Sequence, residues 1–296
     1  MSDKAKTLLV ICGPTAAGKS DVALRLAQRL KTEIVSADSR QVYREIPIGT
    51  AQPNASELAL VPHHFVASRS IHEDYDAGKY AREALSLLES LFQKHDTVVM
   101  CGGTGLYINA VCEGLDEVPP SDIEVRTELN NRLAKEGLLS LLNQLQQLDV
   151  VHYNRMDQKN PQRVIRALEV CLVSGKPFSS FHIKKAEPRP FNVVKVGIQL
   201  PKKEIDERIA KRTIQMMNSG WLEEARSVFP YRHLNALNTV GYKELFDHLE
   251  GKTSLNDAVK LIQLHTSQFA KRQMTWFKKD ETVQWMSPSE AYRWSK

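Results

Sequence analysis

The chain has 296 residues, 42% hydrophobic, 25% charged and 7% aromatic, a globular composition that excludes collagen-like, low-complexity and mostly disordered chains. No apolar run approaches the roughly 20 residues that cross a bilayer, and Leu8–Cys12 is too short for the apolar core of a signal peptide. The net charge of +5 divides into −5 over residues 1–150 and +10 over residues 151–296, which fits either a polyanionic partner for the C-terminal half or simply a basic surface.

In chain order, Thr7–Cys12 reads as a buried strand, Gly13–Ser20 as a turn, and Asp21–Leu30 as a helix with Val22, Leu26 and Leu30 on one face. Glu33–Ser36 is a second strand, and residues 44–76, with four prolines or glycines among them, are largely loop with short elements. Ala77–Lys94 is a helix and Thr97–Cys101 a third strand, followed by Gly102-Gly103-Thr104-Gly105 and a further helix. After Pro119-Pro120 the pattern becomes helical to about Val173, with Ser121 as an N-cap, Pro161 opening a helix and Gly175 closing it. Phe191–Leu200 alternates like a returning strand, and Pro201 opens a helical region to about Lys278, broken near Gly220 and Gly241. The four cysteines, Cys12, Cys101, Cys112 and Cys171, form no CxxC pair, which fits a reducing cytoplasm. His63-His64 has no partner at metal spacing and reads as solvated or core histidine.

Gly13-Pro14-Thr15-Ala16-Ala17-Gly18-Lys19-Ser20 matches GxxxxGK[ST] between a strand and a helix, the setting this phosphate loop requires. Its amides and the helix N-terminus would surround a phosphate chain, Lys19 would supply a cation, and Ser20 a hydroxyl for Mg²⁺. The fold class is therefore α/β, a P-loop NTPase-like parallel sheet core over 1–114 and 191–296 with helical C-terminal parts. A helical, basic insertion spans 115–190, and its stretch 151–190 holds 8 basic against 3 acidic residues. An ATPase or kinase is one reading, yet Val98–Cys101 ends in glycines where such enzymes carry a metal-binding aspartate. Asp38, at the end of the second strand, is either a displaced metal carboxylate or a base aimed at a substrate.

Six ordered blocks, GPTAAGKS, SADSRQVYREIPIGTAQP, CGGTGLYINA, NPQRVIRALEVCLVSGKP, TVGYKE and AKRQMTWF, together resemble the bacterial tRNA dimethylallyltransferase family, from about Leu8 to about Trp285. The resemblance implies that the loop holds dimethylallyl diphosphate with Mg²⁺. The prenyl group then moves to N6 of the adenosine 3′ to the anticodon of tRNA, releasing diphosphate. It implies Asp38 as the base and Thr104 as the donor at the bridging oxygen, with Arg208 or Arg212 near the diphosphate. It implies tRNA contacts at Asp38, Ser39, Arg40, Gln41, Thr104, Arg126 and the run Gln162, Arg163, Val164, Ile165, Arg166. Ala17 departs from a common serine and Arg40 from a frequent methionine, and the bacterial form, without a C-terminal zinc-finger extension, is expected. A monomeric cytoplasmic enzyme without membrane attachment is expected. The alternatives are an adenylate-type isopentenyltransferase acting on a free nucleotide, which the basic insertion argues against, or a P-loop kinase. In Gln268–Lys279 the aromatic side chains are expected to pack inward, leaving the basic ones for phosphates.

Overall fold

The computed structural model describes residues 5–181 and 188–294. The chain divides into two compact units, Met1–Glu113 together with Pro188–Lys296, and Gly114–Glu187. The elements begin with β1 (Thr7–Cys12), α1 (Lys19–Leu30), β2 (Ile34–Ser36), α2 (Ala55–Leu60), β3 (His63–His64), α3 (Ala77–Phe92), β4 (Thr97–Cys101) and α4 (Gly105–Cys112). The smaller unit carries α5 (Ile123–Glu136), α6 (Leu138–Leu148), α7 (Val150–Arg155) and α8 (Pro161–Ser174). The chain continues with β5 (Asn192–Ile198), α9 (Lys202–Asn218), α10 (Trp221–Val228), α11 (Tyr242–Leu249), α12 (Leu255–Phe277), β6 (Gln284–Met286) and α13 (Pro288–Ala291).

The larger unit is built on an all-parallel sheet in the order β3-β2-β4-β1-β5-β6. Every residue of β1 is buried because both of its faces are covered. Leu8 and Val10 join Tyr80, Leu88 and Ile108 on one side, while Leu9 and Ile11 meet Val22 and Leu26 of α1 on the other. Each such side chain contributes about 1.5–3 kcal/mol on burial, so the central strand is the firmest support available for a loop at its end. From β1 the chain crosses to β2 on one side, whereas β5 lies on the other. Connections that diverge in this way open a crevice at the carboxyl ends of the strands, where α/β sheets bind ligands.

In the smaller unit, Leu129, Leu141, Leu145, Val164, Ile165 and Leu168 form a separate core between α5, α6 and α8. Asn160 caps α8 with Pro161 in its first turn, and Gly175 closes it in the left-handed region at φ 67°. The cap of α5 is Asp122 rather than Ser121, since the Asp122 Oδ1 accepts from the amides of both Glu124 and Val125 at 3.0 Å. Helix breaks at Gly220 and Gly241 occur, and a further one precedes α12, which Ser254 caps. The short elements of residues 44–76 are α2 and β3, while β6 and α13 lie where no regular structure is expected from the sequence. Among the described residues no helix is long and apolar enough to cross a membrane.

Candidate active site

The loop Gly13–Ser20 runs from β1 into α1. Gly13 has φ 131°, and a Cβ there would stand 2.5 Å from the Ile198 carbonyl oxygen, so the backbone of β5 admits only glycine. Gly18 caps α1 with no side chain accepting from the first-turn amides, which leaves those N–H groups open to an anion in the loop. The Lys19 Nζ donates to the Pro14 carbonyl at 2.7 Å, folding back across its own loop. Burial lowers the Lys19 pKa, so an anion that replaces this carbonyl also favours the charged form. Ser20 is exposed on the first turn, and Ala17 is buried against the core beneath α1.

Beside this loop, the segments leaving β2 and β4 are held together through the main chain. The Ala37 amide donates to the Cys101 carbonyl at 2.7 Å, and the Thr104 amide to the Ala37 carbonyl at 3.2 Å. That zipper sets Asp38 next to Thr104, although 65 residues separate Thr104 from Ser39 in sequence. The Asp38 Oδ1 accepts from the amides of Arg40 (2.9 Å) and Gln41 (3.3 Å), and Oδ2 has no hydrogen bond among the described residues. The Thr104 Oγ1 accepts from the Ser39 amide at 3.0 Å and donates to the Ser39 Oγ at 3.3 Å. Both side chains line a cavity of about 570 Å³. Burial raises the Cys12 thiol to about 12 and Cys101 to about 11, so neither is a thiolate nucleophile at neutral pH.

Helices α9 and α12 close the loop from outside. Arg212 donates to the Thr15 Oγ1 at 2.8 Å and lines the cavity. Burial lowers its pKa while the nearby Asp38 opposes the change. Arg208 also reaches the loop, its Nη1 standing 3.2 Å from where a Cβ on Gly18 would be. Both candidate arginines thus meet the phosphate loop, and of the two Arg212 shares the cavity with Asp38. Gln273, absent from the sequence reading, bonds both the loop and the Gly102–Gly105 turn. The expectation that α12 packs its aromatics inward holds for Phe277, which is buried. It fails for Phe269 and Trp276, which are partly exposed and line the cavity with Arg272, because α12 lays that face along the turn after β4.

Several residues assigned to tRNA from the sequence are engaged elsewhere. The Arg40 guanidinium donates to the carbonyls of Asn235 (2.8 Å), Ala236 (3.0 Å) and Asn238 (3.4 Å). The Gln41 side-chain amide donates to the Thr50 and Ala51 carbonyls at 3.2 and 2.9 Å, two residues that line the cavity. Val164 and Ile165 are core residues with 0% and 1% exposure, which corrects their assignment to tRNA: they carry the apolar face of α8. Arg126 and Arg166 both bind the buried Glu169 carboxylate, at 2.8 and 2.9 Å. Gln162 and Arg163 are exposed at the start of α8. His63 and His64 are half-buried, and His64 bonds Glu33 at 2.7 Å. Among the described residues no cluster of His, Cys, Asp or Glu is arranged to hold a metal.

The profile of the family described as IPP transferase matches residues 41–280. The chain is 48% identical to a tRNA dimethylallyltransferase of Porphyromonas gingivalis, over 97% of this chain and 96% of the relative. The chain belongs to the IPP transferase family. A tRNA dimethylallyltransferase of Bacteroides fragilis is 45% identical, over 97% of this chain and 95% of its own length. The crystal structure of the tRNA isopentenylpyrophosphate transferase of Bacillus halodurans superposes with a TM-score of 0.70 at 31% identity, covering 96% of this chain and 90% of that one. The IPP transferase match takes in Thr104, Arg212 and Gln273, while the phosphate loop and Asp38 precede it. After β4 the Gly102–Gly105 turn carries Thr104 and packs against Gln273 and Trp276 of α12.

Proposed function

We propose that the chain transfers the dimethylallyl group of dimethylallyl diphosphate to N6 of the adenosine 3′ to the anticodon in tRNA, with diphosphate as the leaving group. The observation that carries this reading is the meeting of an unengaged carboxylate oxygen, Asp38 Oδ2, with the Thr104 hydroxyl beside the phosphate loop. An exocyclic amine is a weak nucleophile and must shed a proton as it forms the N6–C1 bond, and Asp38 Oδ2 is the acceptor for that proton. As the C1–O bond breaks, its electron pair remains on the bridging oxygen, where Thr104 turns its hydroxyl from the 3.3 Å contact with Ser39. Lys19, Arg212 and the open amides of α1 hold the remaining phosphate oxygens. Ser20, an exposed hydroxyl without a hydrogen bond among the described residues, fits a Mg²⁺ ion bound mainly by diphosphate and water. Such an ion would neutralise part of the diphosphate charge.

The anticodon adenosine must leave its stack to enter the cavity. Arg163, Gln162 and the outward edges of Arg126 and Arg166 are the candidate contacts to the tRNA backbone. The test supplies dimethylallyl diphosphate and Mg²⁺ with either an anticodon stem–loop or AMP. A mass gain of one prenyl group on the stem–loop, and none on AMP, is expected. Prenylation of AMP alone would make this an adenylate-type enzyme, and ATP turnover without any adduct would make it a kinase.

A further inference from the structure

Gln273 lies on α12, is 7% exposed, and spends both ends of its amide on backbone groups remote in sequence. Its Oε1 accepts from the Thr15 amide of the phosphate loop at 2.8 Å, across 258 residues. Its Nε2 donates to the Gly103 carbonyl at 2.8 Å, across 170 residues. The contact is so close that a Cβ on Gly103 would stand 2.2 Å from this nitrogen. Thr15 is held a second time through its hydroxyl by Arg212.

We propose that Gln273 is a positioning residue: it locks the phosphate loop to the turn bearing Thr104, and so fixes the leaving diphosphate relative to its hydrogen-bond donor. This rests on the prenyl-transfer reading above. The loop cradles the phosphates and the turn carries the group that meets the bridging oxygen. Besides the side chain of Gln273, no hydrogen bond among the described residues joins Gly13–Ser20 to Gly102–Gly105; the nearest tie is one strand back, where the Gly102 amide donates to the Ile11 carbonyl of β1 at 3.2 Å. A primary amide suits the task because it presents one acceptor and one donor in a fixed plane. Misplacing a reacting group by about 1 Å costs roughly a hundredfold in rate.

Gln273→Met keeps the volume and removes both bonds, so kcat should fall by about 10- to 100-fold, with the KM for tRNA unchanged. Gln273→Glu supplies a sharper readout. As a carboxylate it accepts from Thr15 but repels the Gly103 carbonyl; once protonated it donates there and restores the amide pattern. The ratio of its kcat to that of the unmodified enzyme should therefore rise as pH falls from about 8 to 5. The charged groups around the site, Lys19, Asp38, Arg212 and Arg272, are the same in both proteins, so the ratio isolates the Gln273→Glu change. A purely structural role would lower thermal stability without this pH signature. Wild-type kcat in Gln273→Met, or a pH-independent ratio for Gln273→Glu, overturns the proposal even if the methionine variant folds poorly. Absence of prenyl transfer by the unmodified chain would instead overturn the parent reading, and this one with it.

Discussion

Asp38→Asn is expected to lower kcat by about 10²–10⁴-fold while leaving tRNA affinity within about twofold, the range by which a general base accelerates proton transfer. The substitution is chosen for what it preserves. Asparagine keeps an oxygen where Oδ1 accepts from the Arg40 and Gln41 amides, so the turn after β2 stays in place. What changes is the other end of the group, where a proton acceptor becomes an N–H₂ donor. Asp38→Ala would confuse the two effects, since it also releases the amides of the turn. Single-turnover rates with a stem–loop, beside a filter-binding measurement, separate chemistry from association. A rate within threefold of the unmodified enzyme would remove Asp38 from the role of base.

The parts of this architecture written locally were legible in the sequence, and those written across the sheet were not. The phosphate loop is readable because its strand, turn and helix are contiguous and because Gly13 and Gly18 answer to the loop's own positive φ angles of 131° and 93°. The Asp38–Thr104 pairing has no local sign. It follows from the register of β2 on β4, which aligns Ser36 with Cys101 and lets the two trailing segments bond through Ala37. Family resemblance was needed to bring those residues together. Gln273 had only its place in the AKRQMTWF block as a signal, because its partners lie more than 150 residues away. β6 escaped because three residues are too few to show alternation; it exists through pairing with β5.

The QRVIR stretch illustrates the opposite error, a local signal read too generously. Successive helix residues turn by about 100°, so five in a row cannot all face one partner. Val164 and Ile165, as the apolar members, belonged to the core on composition alone. Arg166 and Glu169 stand at i and i+3, the spacing of a helical ion pair, so its engagement was also readable. Arg126 was not, since it reaches Glu169 from α5.

That shared carboxylate leads to an expected division between stability and recognition in the smaller unit. Glu169 is 0% exposed and accepts from the Asp122 amide at 2.9 Å, from Arg126 and from Arg166, whose remaining Nη2 donates to the Pro119 carbonyl at 2.7 Å. Glu169→Ala would leave the Asp122 amide and Arg126 without this acceptor, and Arg166 with the Pro119 carbonyl alone. Breaking a buried pair costs roughly 3–5 kcal/mol, and the partial exposure of the arginines brings the expectation here to about 2–3 kcal/mol. Urea unfolding should show that loss as a lower midpoint, and tRNA affinity should fall with it because both arginines lose their orientation. Arg163→Ala should behave differently, since its exposed side chain makes no hydrogen bond or ion pair among the described residues. It should leave the urea midpoint unchanged, weaken tRNA binding, and reduce the slope of log affinity against log salt by about one counterion. An unaltered slope would free Arg163 of any phosphate contact. An unaltered midpoint for Glu169→Ala would show that water serves the two arginines as well as the carboxylate does.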